Sequence, residues 1–264
     1  MTLQNQELKD IFSKGNSAAW DKNWNDAAKY YQQALDMDPE NFKALTNLGL
    51  AYYEMKEYRE ALDVYKRAVE LNPDDPAPYE KMFMIYKEVD QSSEAVKASL
   101  MAAEAHLKNE DIQKAIENWQ RVLDMDIQNV KAHARLGMVY ERLGKKKLAV
   151  SEYINTASLL QLAGNTVKAS ESIDRALQCS PENIIVLRAK EILHQGRQLP
   201  IPEPISKEPE EEIEVETIQL EAPKPEPEKQ YENPIVEAVD KAMIILAEAM
   251  FAEDIESENG AAAS

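Results

Sequence analysis

Residues 42–75 read FKALTNLGLAYYEMKEYREALDVYKRAVELNPDD, and this 34-residue stretch decides the fold. Leu45, Leu48 and Tyr52 recur at intervals of three and four, which places them on one face of an α-helix, with Gly49 beside them. After a break near Lys56 the pattern resumes with Ala61, Tyr65 and Ala68, and Pro73 closes the stretch. Gly49 and Ala61 are small, so two antiparallel helices can approach closely there. Burying each large side chain contributes roughly 1.5–3 kcal/mol. Ordering each residue costs about 1–2 kcal/mol of backbone entropy. One helix pair therefore cannot stand alone, and its neighbours must complete the core.

The preceding residues repeat the pattern in phase. Gly15, Ala27, Tyr31, Ala34 and Pro39 fall 34 residues before Gly49, Ala61, Tyr65, Ala68 and Pro73, which defines a first repeat over 8–41 and a second over 42–75. Asp38 is expected to cap the helix that follows it, with Pro39 in the first turn. Trp20 and Trp24 flank the internal turn and read as local packing. The order of a large residue, Leu-Gly, Tyr, Ala, an aromatic, Ala and Pro resembles the tetratricopeptide repeat family, with Leu45 where that family has its leading Trp. The resemblance implies an all-α fold, an α-solenoid of antiparallel helix pairs.

From Pro76 the period changes. Residues 92–107 fit as the second helix of a repeat starting at 76, through Ala95 and Ala102. They fit equally as the first helix of a repeat starting at 96, through Ala102, Ala103 and His106, with Ala115, Trp119 and Val122 on its second helix. The overlap recurs 54 residues later, where Ala95 returns as Ala149 and Ala115 as Ala169. Two three-helix units, 76–129 and 130–183, follow, each a repeat plus one shared helix. A degenerate repeat carrying an insertion is the competing reading, and the recurrence favours the shared helix. A helix touching neighbours on two sides needs small residues on both faces, which Ala95, Ala98, Ser99, Ala102, Ala103 and Ala105 supply. The apolar segment 182–196, with Ile184, Ile185, Leu187, Ile192 and Leu193, reads as a cap that ends at Gly196. The array is thus expected over residues 1–198.

After Gln198 the composition shifts. Residues 199–230 hold seven prolines and ten glutamates against three lysines, the signature of a disordered, extended linker. Residues 231–256 regain a helical pattern. Val236, Val239, Met243, Leu246 and Met250 form an apolar seam suited to docking on protein, or to self-association through 234–254. Its polar face is acidic, unlike the basic face of a membrane-surface helix. Residues 257–264 read as disordered.

Charge and missing motifs narrow the function. The formal net charge is −18, and residues 199–264 hold 4 Lys and Arg against 18 Asp and Glu. Direct binding of nucleic acid by the whole chain is disfavoured. No run of 18 apolar residues and no N-terminal signal pattern occurs, so the expectation is a cytoplasmic protein without membrane insertion. Cys179 is alone and reads as a helix-packing residue rather than a reactive thiol. His106, His133 and His194 lack acidic or Cys partners at metal-ligand spacing. No P-loop, dinucleotide glycine pattern or nucleophile elbow is present, so no catalytic residue, cofactor or metal is assigned and the protein is expected not to be an enzyme.

Resemblance also implies where a ligand would sit. In this family the first helices of successive repeats line a concave groove. The corresponding places are Lys9, Phe12, Asn16 and Trp20, then Lys43, Asn47, Leu50 and Glu54, then Lys81, Met84 and Lys87, then Lys97 and Met101, and finally Lys131, Arg135, Met138 and Arg142. Some members clamp the C-terminal carboxylates of chaperone peptides with two Asn and three basic residues. Asn16, Asn47 and Lys81 match three of those places, but Phe12 and Ala77 stand where Lys is expected. The sequence therefore reads as a non-catalytic scaffold for a protein or peptide. A regulatory subunit acting on a partner enzyme through its tail, or a repeat module of a larger protein, is the alternative.

Overall fold

The structure, a computed structural model, describes residues 3–202, which fall within one compact unit, Met1–Glu208. Among the described residues there are eleven helices and no strand. They are α1 (Leu3–Trp20), α2 (Trp24–Met37), α3 (Phe42–Glu54), α4 (Tyr58–Leu71), α5 (Pro76–Glu88), α6 (Ser92–Lys108), α7 (Ile112–Met125), α8 (Val130–Arg142), α9 (Lys146–Leu162), α10 (Thr166–Cys179) and α11 (Ile184–His194). The seam of Val236, Val239, Met243, Leu246 and Met250, the helix expected over 231–256, residues 257–264 and the linker beyond residue 202 lie outside the described residues.

Local chemistry sets the helix ends. Asn41, Asn129 and Asn183 cap α3, α8 and α11, each accepting a backbone N–H of the first turn on its side chain. Asp75 caps α5, with Pro76 in its first turn. Asp38 does not cap α3 as the sequence suggested. It ends α2, and its carboxylate accepts from the side chain of Asn41 at 3.0 Å, so Pro39 sits in the turn. Gly144 and Gly164 turn their helix pairs with left-handed backbone, and Glu110 holds the same conformation at φ 62° without being glycine. That conformation costs a non-glycine residue roughly 1–2 kcal/mol, which the packing of α6 on α7 offsets.

In three repeats a glycine and a tyrosine sixteen residues apart join the two helices. A Cβ added to Gly15 would meet the Tyr31 ring at 2.8 Å, and one added to Gly49 would meet the Tyr65 ring at 2.7 Å. Gly137 stands against Tyr153 in the same way, at 3.0 Å. Three further pairs in this register keep one small and one large member with the chemistry changed: Phe83 and Ser99, Ala103 and Trp119, Ala157 and Ile173. All six of these residues are buried. In the third repeat the order is reversed, so the ring comes from the first helix and the small residue from the second.

The reversal fits the double role of α6, which packs on α5 on one side and on α7 on the other. Ser99 is fully buried, and its Oγ donates to the Asn118 carbonyl oxygen at 3.0 Å. α9 likewise packs on both α8 and α10. The largest cluster of buried apolar side chains runs from Ala103 and Trp119 through Tyr153 and Ile173 to Val186, Ala189 and Leu199.

Three details differ from the sequence reading. Trp20 does not pack locally but is 89% exposed, whereas Trp24 lies against the first cluster. α11 caps the array with only Val186 and Ala189 buried, and Ile184, Ile185 and Leu187 face outward because no second helix is paired with it among the described residues. Leu199, taken as the first linker residue, is 1% exposed and belongs to the core. An apolar side chain that can reach a core stays with it despite the prolines that follow.

Two outcomes follow from this packing. Gly49→Ala forces a methyl into the Tyr65 ring and should cost about 1–3 kcal/mol, read as a lower urea midpoint. An unchanged midpoint would mean the ring has room to retreat. Cys179 is buried, and desolvation, with the Glu141 carboxylate adding to it, pushes its thiol up to about 11. The protonated thiol is therefore the native form up to that pH, and a disulfide reagent at pH 8 should label Cys179 only after denaturation. Rapid labelling of the native chain would contradict the burial.

Candidate functional site

The places expected to line a groove fall on α1, α3, α5, α6 and α8, and the structure gathers them into two groups. On the first three helices, Phe12 lies 6.2 Å from Tyr31, centroid to centroid, and Lys43 Nζ sits 5.6 Å from the Phe12 ring centre. The Tyr31 hydroxyl donates to Asn16 Oδ1 at 2.9 Å, so one oxygen of the expected asparagine pair is engaged within the repeat. Lys81 Nζ stands 5.7 Å from the Tyr53 ring centre, and Lys87 Nζ 5.7 Å from that of Phe83. Each cation stands over a ring face, with Lys43 and Lys87 exposed and Lys81 half-buried. Asn47 and Leu50 are half-buried between them, while Lys9 and Met84 are exposed.

The second group is organised by a residue the sequence reading did not select. Glu104 of α6 accepts from Arg135 Nε of α8 at 2.9 Å, with Lys131 Nζ 3.8 Å away. These groups are only partly exposed, so the contact is screened less than a surface ion pair. Lys97 turns instead to Glu94 on its own helix at 3.1 Å. Met138 is half-buried, and Met101 and Arg142 are exposed. The inferred places are thus a cation and aromatic group on α1, α3 and α5, followed by a group on α6 and α8 in which positive charge is partly neutralised.

Glu104 was legible in the register. It is the ninth residue of the repeat starting at 96, as Leu50 and Met138 are the ninth of those starting at 42 and 130. Ser158 holds that place in the repeat starting at 150, and it is fully buried. Tyr53 was missed for another reason: its contact with Lys81 crosses from one repeat to the next.

The histidines show what spacing alone leaves out. His106 Nε2 lies 2.8 Å from Glu80 Oε1, a partner 26 residues earlier on α5. His133 Nδ1 faces the Glu152 carboxylate on α9, and its Nε2 lies 2.8 Å from the Ile127 carbonyl oxygen. Both rings are buried and act as polar struts between helices. No group of three or more His, Cys, Asp or Glu among the described residues is placed to hold a metal ion. No helix among the described residues is long and apolar enough to cross a membrane.

A family profile described as the tetratricopeptide repeat matches residues 13–76 and 100–158, which cover the helix pairs of the first two repeats and the run from α6 into α9. Among solved structures, the TPR2B domain of yeast Sti1 in its pHsp70 complex is 18% identical with a TM-score of 0.42, covering 47% of this chain and 99% of that one. A CopN–Scc3 complex chain is 23% identical with a TM-score of 0.40, covering 42% and 68%. The MamA protein is 16% identical with a TM-score of 0.35, covering 75% and 100%. No curated protein sequence matches the chain. The profile falls on residues whose register, close helix contacts and caps build the array, and these two stretches are tetratricopeptide repeats.

Proposed function

We propose that this chain is a non-catalytic interaction module that holds an extended peptide, or one helix of a partner, against the face made by α1, α3 and α5. Tetratricopeptide arrays are built for protein–protein contact, because stacked repeats create one long concave surface. The observation that carries the reading is the row of cations seated on rings, Lys43 on Phe12 and Lys81 on Tyr53, with Asn47 and Leu50 between them. Such a row offers positive charge, apolar area and amide hydrogen bonding in alternation. It suits a ligand in which acidic residues alternate with apolar ones. With Phe12 and Ala77 in place of two cations, a terminal carboxylate would lose two charge-assisted bonds, so an internal acidic and apolar segment is the better ligand. Residues around Arg135 and Lys131 extend the surface but present less free charge, because Glu104 already engages them. A cytoplasmic setting and a role as scaffold belong to this reading.

A displayed library of random peptides, selected on the full chain, tests it. Selected peptides should be rich in Asp or Glu beside apolar residues. The double variant Lys43→Glu, Lys81→Glu should bind them at least about tenfold more weakly, with a steep loss as salt rises, and with an unchanged melting midpoint. Lys66→Glu, an exposed change on α4, should leave binding as it is. Equal loss in both variants, or none in the first, would refute this site.

A further inference from the structure

The last junction of the array already contains a bound segment, supplied by the chain itself. After Gly196, at φ 66°, the backbone leaves α11 and turns back over the C-terminal end of α9. There the Gln161 side chain reads it at two points. Its Nε2 donates to the carbonyl oxygen of Arg197 at 2.8 Å, and its Oε1 accepts the backbone N–H of Leu199 at 2.9 Å. Ser158 Oγ donates to the Leu199 carbonyl oxygen at 3.3 Å, and Gln198 Nε2 donates to the Ser158 carbonyl oxygen at 3.4 Å. The Leu199 side chain is 1% exposed and joins the core cluster that includes Ala157, Val186 and Ala189.

Comparison with the junction 54 residues earlier shows how the space arises. α6 and α9 are both 17 residues long, and α8 and α11, 13 and 11 residues long, each begin at an Asn cap. At the earlier junction Glu104 meets Arg135 and Lys131. At the later one the same places hold Ser158, Ala189 and Ile185. Three charged side chains have become one hydroxyl and two apolar groups. The charged contact is gone, Ile185 faces outward, and the Leu199 side chain is buried in one cluster with Ala157, Val186 and Ala189, beside the Ser158 hydroxyl and the Gln161 carboxamide. The Gln161 and Ser158 side chains bond only to main-chain atoms of the segment. The leucine is the one side chain the recess encloses, and Pro200 and Pro202 offer no N–H beyond it. A site that reads a carbonyl, the N–H two residues later and one buried leucine fits any extended peptide with a leucine at that point.

We propose that the α9–α11 recess is a binding site for an extended, leucine-anchored peptide, and that residues 197–199 occupy it as a tethered ligand that an outside peptide must displace. Ser158 lies in the register of the inferred groove, so this deepens the peptide-binding reading by naming a second pocket. Its residues are separate from those on α1, α3 and α5. Tethering keeps the internal segment at an effective concentration in the millimolar range, which masks any outside peptide of ordinary affinity.

The test uses the full chain with Leu199→Asp, which should empty the recess, and a fluorescein-labelled peptide carrying residues 196–202 as the probe. Anisotropy should show saturable binding to the variant that is at least about tenfold tighter than to the unaltered chain. Adding Gln161→Ala should weaken it by about tenfold, and a probe with Asp in place of the leucine should not bind. A variant that keeps its helical circular dichroism and melting midpoint yet leaves the probe free would overturn the proposal, as would indifference to Gln161→Ala. Hydrogen exchange on the unaltered chain covers the case in which Leu199→Asp loosens α11. Excess unlabelled peptide should speed exchange of the Leu199 amide, and no change at millimolar peptide would overturn the proposal as well. Failure here, with the Lys43 and Lys81 effects intact, removes this pocket and leaves the α1–α3–α5 face standing. The reverse pattern removes that face alone.

Discussion

A tyrosine ring against a helix backbone that carries no Cβ is the contact on which the first half of the array depends. At Gly49 an added methyl would stand 2.7 Å from Tyr65, so the two helices sit closer than any alanine would allow. That closeness lets Ala61 and Ala68 meet the first helix and seal the pair without large side chains. The face left outside the pair is then free to be polar or aromatic. Phe12, Lys43, Tyr53 and Lys81 are drawn from that face, and their mutual distances follow from how closely successive pairs stack.

What persists along the chain is one small and one large member rather than the identity of either residue. Gly with Tyr is in contact in three repeats, and Ala with Trp, Ala with Ile and the reversed Phe83 with Ser99 keep the spacing and are buried. The reversal falls at one of the two helices that meet neighbours on both sides. α6 must meet α5 with one face and α7 with another, so Ser99 and Ala103 are both small while the bulk comes from Phe83 and Trp119. α9 solves the same problem differently, with Tyr153 toward α8 and Ala157 toward α10. Its C-terminal end also receives Leu199.

The repeat period and the all-helical fold were legible because each follows from a local spacing of size and polarity. Glu104 and Ser158 lay in that register too, yet neither has a residue type that marks a binding place. Their roles depend on what stands opposite: Arg135 in one case, the returning chain in the other. Trp20 misled because an aromatic beside a turn usually packs, whereas here α1 has no preceding helix among the described residues to receive it. Leu199 was hidden by its neighbours. Pro200, Pro202 and the glutamates beyond them make the composition that of a solvated linker, and composition averages over the one side chain that reaches the core. The carboxylate partners of His106 and His133 were hidden because they come from other helices.

The central claim is that size complementarity between residues sixteen apart sets the approach of each helix pair, and the reversed pair offers the most direct measurement. Phe83→Gly opens a cavity and Ser99→Tyr overfills the same space, so each alone should destabilise the chain by about 2–4 kcal/mol. Together they restore the Gly and Tyr order of the first two repeats. A double-mutant cycle on urea midpoints should then show the pair costing less than the two single changes by at least about 1–2 kcal/mol. Recovery should remain incomplete because Ser99 also holds the Asn118 carbonyl oxygen. Additive losses would mean that the two residues do not share one gap, and the account of how the helix pairs are spaced would fail.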